Sequence, residues 1–284
     1  MTTARQCEKG GNIMRKQEVV RNKMGQKKVR KAIGVSAVAM MLAFSTVAVS
    51  TPQTTYAMTK AVKTTKESKT YKVVTAEQYK DKDGTMRANL KTPKVEGETK
   101  GIQTFNKEIE RYILGIKNEY LNAKKKVKDT KDGYLDITTT YETMCNNNNY
   151  LSIQIITASG YGSGSQKSKA FTLDKSTGKI VTLKDLFKKG ADYQDIISKN
   201  IISQMKAQMK EDKNKVYFVK GTEVENMGTF TTIEKNQNFY IDKNGKLVIV
   251  FDEYEVAPGS MGICTFTMGK TALKSIVPTN SKLK

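Results

Sequence analysis

The sequence predicts an α+β fold: two small domains of antiparallel hairpins, each packed with one long amphipathic helix. Three observations carry that expectation. Apolar residues recur at three- and four-residue spacing over two long stretches, and short alternating stretches come in pairs separated by turn residues. Hydrophobic residues make up 38% of the 284, enough for a real core. Hairpins interrupted by two helices point away from a βαβ repeat.

Taken in order, Tyr71-Lys72-Val73-Val74 reads as a short strand, and residues 90–97, with Pro93 among them, as an edge strand leading to a helix. Ile102, Phe105, Ile109, Tyr112, Ile113, Ile116, Tyr120 and Val127 then mark the apolar face of the first helix. Its Lys124-Lys125-Lys126 run reads as a solvated helix end, favoured there by the macrodipole without any partner. After a Lys131-Asp132-Gly133 turn, Leu135, Ile137, Thr139 and Tyr141 alternate with polar residues, as a strand with one buried face requires. Asn146 to Asn149 form a loop, and residues 150–158 return with Leu151, Ile153 and Ile155 inward.

A second hairpin follows around Lys175-Ser176-Thr177-Gly178. Asp192 is the expected N-cap of the second helix, whose face is Tyr193, Ile196, Ile197, Ile201, Met205 and Met209; its methionines are core filling. A third hairpin turns at Asp242-Lys243-Asn244-Gly245. The continuous run 247–251 beyond it predicts a strand buried on both faces. Residues 263–268 form a last strand, and 271–276 a short closing helix.

The N-terminal segment is an address. A basic stretch from Met14 to Lys31 leads into residues 32–49, which hold no charge. Eighteen uncharged, largely apolar residues suit either a cleaved signal peptide or a retained membrane anchor, and the small residues Thr55 and Ala57 favour cleavage after 57. In both cases the positive flank stays in the cytoplasm, and the bulk of the chain is expected outside. Met14 and Met24 offer alternative starts, which would leave Cys7 untranslated. The expected organisation is therefore a signal peptide or anchor at 1–57, a flexible Lys/Thr-rich linker at 58–70, an N-terminal α+β domain at 71–165 and a C-terminal α+β domain at 166–284.

Charge and composition narrow the chemistry. Residues 58–284 carry 39 Lys/Arg against 26 Asp/Glu, a net +13, so the exported part attracts anionic polymers. Export and the lack of aromatics among the Lys runs argue against nucleic acid. The sequence contains no His, which removes Ser-His and Cys-His dyads and the imidazole ligands of most catalytic zinc sites. No enzyme activity, metal or cofactor is expected. Cys145 and Cys264 remain in the exported part, either as a disulfide or as two separate buried thiols.

Two places stand out as ligand-binding candidates. Residues 159–165 form a glycine-rich surface loop presenting Tyr161, Ser163 and Ser165. It lacks the rest of a dinucleotide fingerprint, and no helix follows it. The second is Tyr254 with Glu255. A carboxylate pair drawn from Asp252, Glu253 and Glu255 would suit glycoside chemistry, but strand spacing puts Asp252 and Tyr254 on one face and Glu253 and Glu255 on the other. The structural alternative has Asp252 or Glu255 accepting backbone hydrogen bonds in the turn at 257–259. Asp81-Lys82-Asp83-Gly84 and Asp242-Lys243-Asn244-Gly245 echo a calcium loop but lack its ligand series and read as turns.

The most specific stretch is Val250-Phe251-Asp252-Glu253-Tyr254-Glu255-Val256-Ala257-Pro258-Gly259-Ser260-Met261-Gly262, supported by Asn238-Phe239-Tyr240, by residues 177–187 and by Pro93-Lys94-Val95-Glu96-Gly97 ahead of Asn106-Lys107-Glu108-Ile109. With these, the sequence resembles the extracellular region of RsiV-like anti-sigma factors, tandem domains also found beside peptidoglycan deacetylase domains in Gram-positive bacteria. The likeness covers about residues 71–277. It implies a non-catalytic binding or sensing module at the cell surface, secreted or anchored through residues 32–49 with its C-terminus outside. Its partner would be an anionic wall polymer or an extracellular protein such as lysozyme. An alternative implication is a membrane-anchored anti-sigma factor that answers lysozyme or envelope stress by regulated proteolysis; a carboxylate-based wall hydrolase ranks third. The family's usual Gly-Gly-Ala-His turn is replaced here by residues 159–165, so no role of that His carries over. Lysozyme is itself basic, so a +13 region would need an acidic patch to receive it.

Overall fold

The computed structural model describes residues 70–130, 133–161, 163–222 and 228–284. The expected signal peptide or anchor, Cys7, the linker up to residue 69, the turn at 131–132 and Gly162 lie outside the described residues. Among the described residues no helix is long and apolar enough to cross a membrane.

The chain runs through β1 (Val73–Asp83), β2 (Met86–Val95), helix α1 (Lys100–Thr130), β3 (Leu135–Asn146), β4 (Tyr150–Tyr161), β5 (Ser163–Asp174) and β6 (Lys179–Ile180). A 3-10 turn at Leu183–Leu186 leads to α2 (Tyr193–Glu211), β7 (Phe239–Ile241) and β8 (Leu247–Phe251). A second 3-10 turn at Gly259–Met261, β9 (Cys264–Thr267) and the one-turn helix α3 (Lys270–Leu273) complete it. The fold is α+β. Strands β1 to β6 form one sheet in sequence order, and β7, β8 and β9 a second, antiparallel one.

One strand sits differently from expectation. Residues 90–97 were expected at an edge, yet β2 lies between β1 and β3 and runs parallel to β3, from Met86↔Leu135 to Leu90↔Thr139. The cause is the length of α1. Its 31 residues span about 45 Å, enough to carry the chain back alongside the start of β2, which a hairpin loop cannot do. Pro93 is tolerated because it lies beyond the end of the β2–β3 ladder, opposite the bulge at Thr75/Glu77 in β1. The true edge is β1, mostly exposed and longer than its four apolar residues suggest.

Helix α1 buries the expected face. Ile102, Phe105, Ile109, Ile113, Ile116 and Tyr120 pack on Leu90, Ile137, Leu151, Ile153, Ile155, Phe171 and Leu173. Its basic end is not simply solvated. Asp81 accepts hydrogen bonds from the Tyr120 hydroxyl at 2.7 Å and from the Lys124 ammonium, and Lys124 lies 3.3 Å from Asp83. The aspartates of the calcium-like motif thus clamp the helix to β1. The Lys124 ammonium is the main reason the Asp81 carboxyl is held below its ordinary pKa, with Tyr120 second.

The other face of the large sheet carries the small one. Tyr240, Val248 and Val250 pack against Met144, Ala170 and Ile263, while Leu247, Ile249 and Phe251 share a core with Ile197, Ile201 and Met205 of α2. Strand β8 is therefore buried on both faces, as its continuous apolar run requires. Successive layers are α1, the large sheet, the small sheet and α2. The boundary expected between 165 and 166 falls within β5, and the described residues belong to one compact unit, Lys63–Lys284. Asp192 caps α2 by accepting from the Asp195 N–H at 3.2 Å. Cys145 and Cys264 are separate buried free thiols, not a disulfide. Each donates weakly to a nearby carbonyl, Cys145 to Tyr150 and Cys264 to Gly262, both at 3.7 Å.

Candidate functional site

The site is assembled where β5 meets the turn after β8. Beyond the two-residue β6, the outer edge of β5 pairs with no further strand among the described residues, and side chains take that place. Asn238 accepts from the Ala170 N–H at 2.9 Å and donates to the Ser168 carbonyl at 3.0 Å, so its amide mimics a strand peptide. Asp252 accepts from the Ser168 N–H at 2.7 Å and Glu253 from the Gln166 N–H at 2.6 Å, while the Glu253 N–H donates to the Gln166 carbonyl at 3.2 Å. Unpaired edge groups are thereby satisfied and closed to intermolecular pairing.

This geometry corrects the reading of the acidic stretch. Strand β8 ends at Phe251, so alternation does not continue and Asp252 and Glu253 both reach β5. They accept backbone hydrogen bonds, but from β5 and not from the turn at 257–259. Glu255 accepts from the Asp252 N–H at 2.8 Å and from the Gln237 amide at 3.1 Å. The orientation of Gln237 is fixed, because it also donates to the Val250 carbonyl and accepts from the Glu234 N–H. Both Glu255 oxygens thus face donors. The side chain retains solvent access, yet burial of its carboxyl among surrounding protein pushes its pKa above the ordinary glutamate value.

Tyr254, between these acids, has φ 69°, the one non-glycine residue with positive φ among those described. For a bulky side chain this is a strained conformation. The residue is 56% exposed, yet its ring packs over Gly259, where a Cβ would fall 2.3 Å from the ring. Gly259 is thus the residue that leaves room for the tyrosine. Ring and Glu255 border a cavity of about 280 Å³ with Glu234, Gln237, Phe230 and Thr232. Its described lining holds two carboxylates and no Lys or Arg. Among the described residues no group of three or more Cys, Asp or Glu is placed to hold a metal.

The glycine-rich candidate proves not to be a loop. Strands β4 and β5 stay in register to Ser159↔Ser165, Gly160↔Gly164 and Tyr161↔Ser163, so these residues are paired strand. Ser165 bonds Ser159 through their hydroxyls at 3.1 Å. The ladder continues because extended backbone accepts glycine and serine once a long hairpin is anchored by its buried half. Ser165 adjoins Gln166, which is bound to Glu253, so the structure brings the base of this hairpin to the Tyr254 turn; Tyr161 and Ser163 lie farther out. Sequence reasoning missed Glu234 and Gln237, which sit in a stretch without periodicity. Their adjacency to Asn238-Phe239-Tyr240 was the available signal.

Helix α2, the small sheet and the Tyr254 turn together are the region matched by a family model. Residues 184–270 match the family described as "Protein of unknown function (DUF3298)". Two solved structures of that family share the fold, one from Bacteroides fragilis (TM-score 0.50, 13% identity) and one from Pseudomonas aeruginosa (TM-score 0.55, 14% identity). Each comparison covers 74% of this chain and 94% of the other. The chain is also 36% identical over 214 residues to the anti-sigma-V factor RsiV of Bacillus subtilis, covering 74% of this chain and 72% of that protein. The chain belongs to the RsiV family of DUF3298-containing proteins.

Proposed function

We propose that residues 71–284 form the extracytoplasmic sensing module of an envelope regulator and that the Tyr254 turn is its ligand-facing site. The observation that carries this reading is a strained, exposed aromatic held over Gly259 beside a carboxylate cavity. Backbone strain of this kind concentrates at functional sites, and an exposed tyrosine beside a pocket is a favoured anchor for a protein partner. Glu234 and Glu255 in the lining, with Asp252 and Glu253 behind them, supply the acidic patch that a basic module needs to receive a basic partner such as lysozyme. Among the described residues the cavity lining shows no nucleophile hydrogen-bonded to a base, which is compatible with a binding role.

A second reading is favoured by the relative's name. RsiV is an anti-sigma factor, and the same role here would keep residues 32–49 as an anchor and carry the signal by proteolysis. The two readings share the site and differ in the fate of the N-terminus. Binding of the full chain to lysozyme, measured by surface plasmon resonance with and without Tyr254→Ala, tests the shared part: at least a tenfold loss is expected, and unchanged affinity overturns the site. N-terminal sequencing of the native protein separates the readings, since a terminus at Met58 in unstressed cells fits constitutive secretion and excludes an anchored regulator.

A further inference from the structure

We infer a second binding site, for a phosphate group, in the cleft between α3 and the C-terminal segment. It does not depend on the sensing role of the Tyr254 turn. The cavity measures about 350 Å³, at the lower end of the ~300–1,000 Å³ range of small-molecule sites. Lys188, Lys270, Lys274 and Lys284 line it together with the hydroxyl-bearing Thr279 and Ser281. No carboxylate side chain lines it, and residues 256–284 contain no Asp or Glu at all.

The walls are fixed, which distinguishes the cleft from a spray of surface lysines. Lys188 is tied to the loop after α3 through its backbone N–H to the Ile276 carbonyl and its ammonium to the Ser275 carbonyl, both at 2.8 Å. On the far side the Lys282 ammonium bonds Asp174 and Ser176, and the Lys284 N–H donates to the Gly245 carbonyl at 2.9 Å. Lys282 is thus occupied in holding the wall, while Lys270, Lys274 and Lys284 form no salt bridge with any described residue. Several ammonium groups around one concavity repel one another until an anion enters, and lysine is a regular point-charge binder of phosphate. The apolar floor of Leu273, Val277 and Leu283 suits the carbon skeleton that a phosphate ester carries. The class assigned is therefore a phosphate on a polyol or sugar unit, as in a phosphodiester polymer.

The test uses the full chain with three probes: inorganic phosphate, poly(glycerol phosphate), and vesicles of phosphatidylglycerol. Lys270→Ala/Lys274→Ala is compared with Lys206→Ala/Lys210→Ala, an equal charge loss on the exposed side of α2. At 0.15 M salt the cleft pair is expected to weaken polymer binding at least tenfold and the control pair less than twofold, with inorganic phosphate competing. Equal weakening by both pairs would mean attraction by overall charge alone and overturns the site, as does no weakening by either. Cleft-dependent binding to vesicles but not polymer keeps the phosphate site and assigns its source to a lipid headgroup. All four lysines are exposed, so unchanged circular dichroism melts are expected to accompany the losses.

Discussion

Asn238→Ala is the most informative single change, because it opens the seam between the two sheets without touching either core. The side chain supplies an acceptor to the Ala170 N–H at 2.9 Å and a donor to the Ser168 carbonyl at 3.0 Å. Truncation leaves both backbone groups in a half-buried seam. Each lost bond is worth about 1 kcal/mol net, and an orphaned buried group about 1–3 kcal/mol, so partial access of water places the total near ~2 kcal/mol. In a folded region of this size that lowers the melting temperature by about 4–8 °C. The chain has no Trp, so urea and thermal unfolding are best followed by far-UV circular dichroism, with amide exchange at Ala170 as the local readout. Asn238→Asp keeps the acceptor, loses the donor and sets a carboxylate against the Ser168 carbonyl, so it should destabilise at least as much. A loss below about 0.5 kcal/mol with Ala170 exchange unchanged would refute the view that this amide stands in for a strand.

Other expectations follow from single residues. Tyr254→Gly relieves the φ 69° strain, so stability should be unchanged or raised by up to about 1 kcal/mol while ligand binding is lost; a clear destabilisation would show the ring to be core, not ligand surface. Glu255 keeps its proton to higher pH when folded than when unfolded, so the stability it contributes is lost as pH rises from 4.5 through its raised value; carboxyl NMR titration giving 4.5 or less overturns this. Asp81 has the opposite sign: its contribution is present above 3.8 and lost as pH falls through its lowered value, so Lys124→Ala should destabilise at pH 7 and cost progressively less in acid. Burial pushes the Cys264 thiol up to about 11 and raises Cys145 as well, so both should react with Ellman's reagent at pH 8 only after denaturation; rapid reaction in the native protein would contradict their burial.

How far the sequence was legible differs between elements. The spacing of Ile102 to Tyr120 placed α1 and its buried face, and the run at 247–251 placed β8 in the middle of a sheet, because burial on one face or on two leaves its own period in the side chains. The VFDEYEVAPGSMG stretch pointed to Tyr254 and Glu255 through its resemblance to a family. The extension of β4 to Tyr161 and the start of β5 at Ser163 were invisible because glycine and serine carry no burial period.

What the sequence by itself determined is therefore local: the two long helices and their apolar faces, the three hairpin turns, the basic charge and the absence of imidazole chemistry, each written in residue type and spacing. Tertiary structure alone decided that β2 runs parallel to β3, that Asn238, Asp252 and Glu253 serve as a surrogate strand for β5, and that Lys188 joins Lys270, Lys274 and Lys284 at one cleft. The reason is physical. Period and turn chemistry depend on neighbours along the chain, whereas edge satisfaction and charge convergence depend on distant groups, such as Gln166 and Glu253, 87 residues apart, or Asp174 and Lys282, 108 apart, whose meeting is set by packing.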